Sequence, residues 1–232
     1  MILVYIIVVN KDKYYSAIIV SILSVILVLV TSTLFQNQMS EAQEDSISQL
    51  LEKADSLYNE GKYQEAIIWY DKALGIDPFD VDALHNKGLA LHNIGENQDA
   101  IIWYDKVLEI EPSNVDALYN KGGALFASDQ YQKAITWFEK VLEIEPSNVD
   151  ALNFKGQSLA KLDQYQEAIT WYDKALAIDP SHVDALSNKG RALHELGQSQ
   201  EAITWIDKAL AIDPHNVYAH HNKGLALDKL GE

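Results

Sequence analysis

The chain has 232 residues, no cysteine, and a formal net charge of -16 from 18 Lys+Arg against 34 Asp+Glu. Without thiols there are no disulfides, thiolate metal sites, cysteine nucleophiles or lipidated cysteine anchors. So acidic a chain repels phosphate backbones, and with Arg191 as its only arginine it lacks the basic stripe of a nucleic-acid binder.

The N-terminal segment, 1–15, opens with an apolar run from Met1 to Val9, too short to span a bilayer and of the kind a mis-assigned translation start would add. Between Tyr14 and Ser40 no side chain is charged, and Ala17 to Val30 reads AIIVSILSVILVLV. A helix rises about 1.5 Å per residue and needs roughly 20 residues to cross a bilayer core. Residues 16–35 supply that length, which predicts a transmembrane helix or signal anchor. Lys11 and Lys13 before it, with Glu41, Glu44 and Asp45 after it, keep the N-terminus cytoplasmic and place everything downstream outside the cytoplasm. The competing reading is a signal peptide, whose apolar core spans about 7 to 15 residues; cleavage would export the rest. Residues 36–46, QNQMSEAQEDS, are polar and aperiodic, and read as a linker.

From residue 47 onward the chain repeats. All five prolines fall at 78, 112, 146, 180 and 214, and all five tryptophans at 69, 103, 137, 171 and 205, both in steps of 34. Gly88, Gly122, Gly156, Gly190 and Gly224 keep the same interval. Within a unit, Ala66, Trp69, Tyr70, Ala73 and Leu74 recur at i, i+3, i+4, i+7 and i+8, one apolar helix face. A preceding helix carries Ala83, Leu84, Gly88 and Leu91, whose small residues admit a close neighbour. Gly61, Gly95 and Gly197 stand at the turn between the two helices, and Asp129 and Asp163 replace glycine there, a residue type that tolerates a left-handed backbone better than most. Each proline ends a helix, and the Ser-Asn or Ser-His pair after Pro112, Pro146 and Pro180 can cap the next. Asp82, Asp116, Asp150 and Asp184 then sit in a first helical turn, favourably placed toward the helix dipole.

The stretch from Val81 to Asn114, VDALHNKGLALHNIGENQDAIIWYDKVLEIEPSN, resembles the tetratricopeptide repeat (TPR) family, in its small Gly88, Ala100, aromatic Tyr104 and Pro112. Val107 replaces the family's second alanine, and the first unit has Ala54 at the small position. The resemblance covers residues 47–232. It implies an all-α protein, a TPR α-solenoid in which antiparallel helix hairpins form a right-handed superhelix, preceded by the single transmembrane-type helix. The repeats are 47–80, 81–114, 115–148, 149–182 and 183–216, with 217–232 the first helix of an incomplete sixth. Gly224, Ala226, Leu227 and Leu230 keep the pattern of an internal helix although His220 replaces the usual leucine, so the array is expected to continue beyond Glu232.

The resemblance also implies that first helices line a concave groove. The groove positions read His85, Leu89 and His92; Tyr119, Gly123 and Phe126; Asn153, Gln157 and Ala160; Ser187, Arg191 and His194. An aromatic patch at Tyr119 and Phe126 between polar units suits an extended peptide or partner helix. The family's carboxylate clamp is missing, since Asp116 and Asp150 stand where it requires lysine. Asn86, Asn120, Asn188 and Asn222 match the asparagine ladder of sugar-transferase repeats, with Phe154 interrupting it, and could contact a peptide backbone.

No metal, cofactor, nucleophile or small-molecule substrate is expected. His85 and His92 lie about two helical turns apart, too far to share a metal. The tryptophans read as packing, and pairs such as Asp71 and Lys72, adjacent in sequence, do not face one another. The expected function is a non-enzymatic, acidic, membrane-anchored or exported scaffold for protein–protein interaction, whose groove binds a protein or peptide and supports complex assembly. The alternatives are the recognition arm of a longer enzyme with its catalytic domain beyond Glu232, and a self-associating spacer.

Overall fold

The computed structural model describes residues 26, 28–36 and 46–231. The chain divides into two units, 1–52 and 53–232. In the first, residues 28–36 are helical and exposed. Ser32 Oγ donates to the Leu29 carbonyl (2.8 Å) and Thr33 Oγ1 to that of Val30 (2.9 Å). Among the described residues no helix is long and apolar enough to cross a membrane. Most of the span expected at 16–35, and all of 1–15, lie outside the described residues.

The second unit is an all-α solenoid without strands among its described residues. Residues 46–59 are helical, and the part from Lys53 onward is α1. The helices that follow are α2 (Tyr63–Ile76), α3 (Val81–Asn93), α4 (Asn97–Ile110), α5 (Val115–Ala127), α6 (Tyr131–Ile144), α7 (Val149–Lys161), α8 (Tyr165–Ile178), α9 (Val183–Glu195), α10 (Ser199–Ile212) and α11 (Val217–Leu230). Odd-numbered helices are the first, and even-numbered the second, of each hairpin.

Helix ends follow from local chemistry. Asn114, Asn148 and Asn216 cap α5, α7 and α11, each Oδ1 accepting the amide of the third helical residue at 2.9 Å. Asp80 does the same for α3 at 2.8 Å, and at α9 it is His182, whose Nδ1 accepts from the Ala185 amide at 3.1 Å. The first helices end on a left-handed residue, and Asp129 (φ 58°) and Asp163 (φ 59°) adopt this backbone where Gly95 (φ 84°) stands in another repeat.

Packing explains the 34-residue glycines. A Cβ on Gly156 would lie 2.6 Å from Cε1 of the Tyr172 ring, and one on Gly190 would lie 2.5 Å from Cγ1 of Ile206, so the first helix of each hairpin rests directly on a large side chain of its second. Tyr70, Tyr104, Phe138, Tyr172 and Ile206 fill this place in successive repeats, all almost wholly buried. At Gly224 a Cβ would meet nothing within 4 Å.

A polar column accompanies this core. Lys87, Lys121, Lys155 and Lys189 are buried and each pairs with a carboxylate of the preceding second helix: Asp71, Asp105, Glu139 (2.7 Å) and Asp173. Each ammonium also lies over the tryptophan of its own repeat, as Lys155 Nζ lies 3.6 Å from the Trp171 ring centroid while Lys174 covers that ring at 3.5 Å. The repeated Asp-Lys step therefore has a structural use: its carboxylate reaches the next repeat and its lysine closes on its own tryptophan.

Candidate functional site

The variable side chains of the first helices define the candidate surface. Position along α3, α5, α7, α9 and α11 decides what each can do, because stacking helices 34 residues apart brings equal register positions side by side.

A groove of about 520 Å³ lies along α7, α9 and α11. Phe126, Phe154 and Tyr165 supply aromatic surface, while Gln157, Ser187, Asn188 and Asn222 supply amides and a hydroxyl. Arg191, Lys161, His221 and Asp184 also line it, and α11 contributes Tyr218. Of the groove residues expected from sequence, Phe126, Gln157, Ala160, Ser187 and Arg191 come together here.

The others have different surroundings. Tyr119 meets the ring of Phe154 edge-on (5.8 Å between centroids) and lies tilted on Phe138 (5.9 Å), and burial raises its hydroxyl pKa. Asn153 is 2% exposed. His92 Nδ1 lies 2.6 Å from Asn97 Oδ1, and His194 Nδ1 lies 3.1 Å from Ser199 Oγ, so both rings face the start of their own second helix. Leu89 packs against the core cluster containing Tyr104, and a Cβ on Gly123 would meet nothing within 4 Å.

The asparagines form contacts between repeats. Asn188 Nδ2 donates to Asn153 Oδ1 (3.1 Å), Asn222 Nδ2 to Ser187 Oγ (3.1 Å) and Asn86 Nδ2 to Asp55 Oδ1 (3.2 Å). Asn120 Nδ2 lies 3.2 Å from His85 Nε2. One amide hydrogen of each is thus engaged by the preceding repeat; a second donor and the carbonyl oxygen belong to each side chain too. Phe154 holds the asparagine place in α7 and meets aromatic rings: Phe138 stacked (5.6 Å), and Tyr119 and Phe126 edge-on (5.8 Å each).

Several lining residues escape a first-helix reading. Tyr165 and Tyr172 come from α8, and Tyr218 stands where the second to fifth repeats have aspartate. Tyr218, at 78% exposure, was detectable as that departure from the internal pattern. Tyr165 Oη donates to Asp163 Oδ1 (2.7 Å), and this bond, with burial second, pushes its pKa up to about 12.

Hairpins stacked at a 34-residue period around a groove of variable side chains define a helical-repeat binding solenoid. The TPR repeat family profile matches residues 54–95, 156–197 and 190–231, just over half of the chain, and that for "Anaphase-promoting complex, cyclosome, subunit 3" matches 93–175. The chain belongs to the TPR repeat family. No curated protein matches it. Among solved structures it is similar to YrrB, described as a TPR protein with an unusual peptide-binding site, at 25% identity and a TM-score of 0.62, covering 75% of this chain and 90% of that one. It is also similar to MamA, at 27% identity and a TM-score of 0.65, covering 72% and 92%. The MamA fragment from Desulfovibrio magneticus RS-1, at 23% identity and a TM-score of 0.68, shares the fold over 74% of this chain and 97% of that one.

Proposed function

We propose that this protein is a non-enzymatic scaffold that holds an extended segment of a partner protein in its concave groove and so supports assembly of a complex. The observation that carries this reading is the groove along α7, α9 and α11, lined by aromatic rings together with amides and cations. Apolar anchors beside unsaturated hydrogen-bonding groups suit a peptide, which offers both side chains and backbone. The peptide-binding site of the similar TPR protein YrrB agrees with it.

Phe154 gives the cleanest test. Asparagine stands at this place in four other first helices, so Phe154→Asn preserves the hairpin while removing the central ring. Phe154→Asn together with Phe126→Ala is expected to abolish capture of the native partner, recovered by crosslinking, with helical content unchanged by circular dichroism. Undiminished capture rejects the groove.

The proposal includes tethering through residues 16–35 with the repeats outside the cytoplasm. The described part, 28–36, suits an apolar surrounding because its Ser32 and Thr33 hydroxyls donate back to their own helix, which satisfies them without water. Protease added to intact cells should degrade the repeats; protected repeats reject this topology. N-terminal sequencing of the mature protein separates an anchor from export after cleavage.

A further inference from the structure

The groove end at α7, α9 and α11 repeats a donor arrangement that elsewhere in this molecule is closed by a carboxylate. In the first repeat, Asp55 Oδ1 accepts from Tyr70 Oη (2.6 Å) and from Asn86 Nδ2 (3.2 Å). Three repeats on, the same register positions hold Tyr172, Asn188 and, in place of the aspartate, Gln157. Tyr172 is 1% exposed and lines the groove, and its hydroxyl has no hydrogen-bond partner among the described residues. Unlike the sealed hydroxyl of Tyr104, that of Tyr172 reaches the groove, so the place is set for an acceptor from outside.

Arg191 strengthens the case. It is the only guanidinium of the chain, lies on the groove, and is close enough to act electrostatically on the Tyr172 hydroxyl. Its Nε is 3.9 Å from Glu195 Oε1, beyond hydrogen-bonding distance, and both side chains are well exposed, so this contact is weak. Lys161 adds a second cation against the lining carboxylate Asp184. No other repeat offers the set: Phe138 and Ile206 lack the hydroxyl, and that of Tyr104 is shut off from solvent.

We propose that this site takes the side-chain carboxylate of an aspartate or glutamate in an extended partner segment, with a large apolar neighbour resting on Phe126 and Phe154. Tyr172 Oη, the second amide hydrogen of Asn188 and the Arg191 guanidinium donate to it, as Tyr70 and Asn86 do to Asp55. The assignment rests on the groove reading above and names the chemistry that groove selects.

The test uses the full chain in detergent buffer and fluorescent peptides with acetylated and amidated ends. Each carries one Asp or Glu between Phe and Leu; a second set has Asn or Gln instead, and a third keeps the amides but ends in a free carboxylate. Acidic peptides are expected to bind roughly tenfold or more tightly than their amide counterparts, the size of one charge-assisted hydrogen bond. Tyr172→Phe and Arg191→Gln should each remove most of this preference without unfolding the chain, because Phe138 and Gln157 are its own residues at those registers. Gln157→Asp, which copies Asp55, should fill the site from within, abolishing the preference and raising the melting temperature. Equal binding of acidic and amide peptides, a preference untouched by the three variants, or selection of the free terminus overturns the carboxylate assignment. If amide peptides still bind and Phe126→Ala abolishes that binding, the groove reading survives alone. Binding by no peptide of any set overturns both.

Discussion

Tyr70 and Tyr104 occupy one register and differ in a single hydrogen bond. Tyr70 Oη donates to Asp55, whereas Tyr104 Oη is buried with no partner, in a repeat that has Leu89 where the first has Asp55. Tyr104→Phe should therefore be neutral or stabilise by up to about 1 kcal/mol, while Tyr70→Phe should destabilise by roughly 1 kcal/mol. Urea titration of both variants checks the sign. The glycines make a second contrast. Gly156→Ala drives a methyl group into the Tyr172 ring and should destabilise by about 1–3 kcal/mol. Gly224→Ala, with open space around the new Cβ, should instead stabilise α11 by roughly 0.5–1 kcal/mol.

Contacts between elements place two histidines in structural roles. His182 caps α9 through Nδ1, which must be unprotonated to accept from Ala185, so its Nε2 carries the hydrogen toward Asp150 at 3.3 Å. His182→Asn, the cap used at α5 and α7, should keep stability, and His182→Ala should lower it by about 1 kcal/mol in thermal unfolding. His85 lies between α3 and α5, with Nε2 positioned to accept from Asn120, and burial holds its pKa below the ordinary histidine value. A base whose folded pKa is depressed takes up protons on unfolding. Its neutral form stabilises the fold fully above the unfolded pKa of about 6.5, and this contribution falls as pH drops from there toward the folded value. Urea midpoints measured between neutral and mildly acidic pH should fall less steeply in His85→Asn than in the unsubstituted chain. Asparagine is the chain's own solution, since Asn153 receives Asn188 at the same register.

For the whole molecule, stability depends on coupling between neighbouring hairpins, because each repeat touches chiefly the next. Lys155 joins the third and fourth repeats, pairing with Glu139 on α6 and covering Trp171 on α8. With Glu139 about half exposed, the ion pair is screened and the ring contact and buried stem carry more of the effect. Lys155→Ala should destabilise by about 1–3 kcal/mol and, more tellingly, broaden or split the single unfolding transition as the two halves of the array lose their link. Coincident fluorescence and circular dichroism curves for that variant would contradict it. The Lys-Trp column was visible as letters but not as contacts: Asp71 and Lys72 do not meet each other, and their partners lie sixteen residues on and three residues back.

The hairpin array was legible because its causes are local and repeated. The apolar helix stripe, the proline stops and the left-handed turn residues need nothing beyond their own 34 residues, and five copies remove ambiguity. The small residue at position 88 and its successors announced a close approach. What the sequence left open was which side chain approached, and the tertiary stacking decided that it is the second-helix ring. The groove was legible only in part. Phe126, Gln157 and Arg191 followed from first-helix register, whereas Tyr172 looked like one more core aromatic among its equivalents. Its hydroxyl differs from that of Tyr70 solely in what the neighbouring helices bring to it. A hydrogen-bond acceptor supplied across helices is a property of three-dimensional placement, and no single stretch of chain records it.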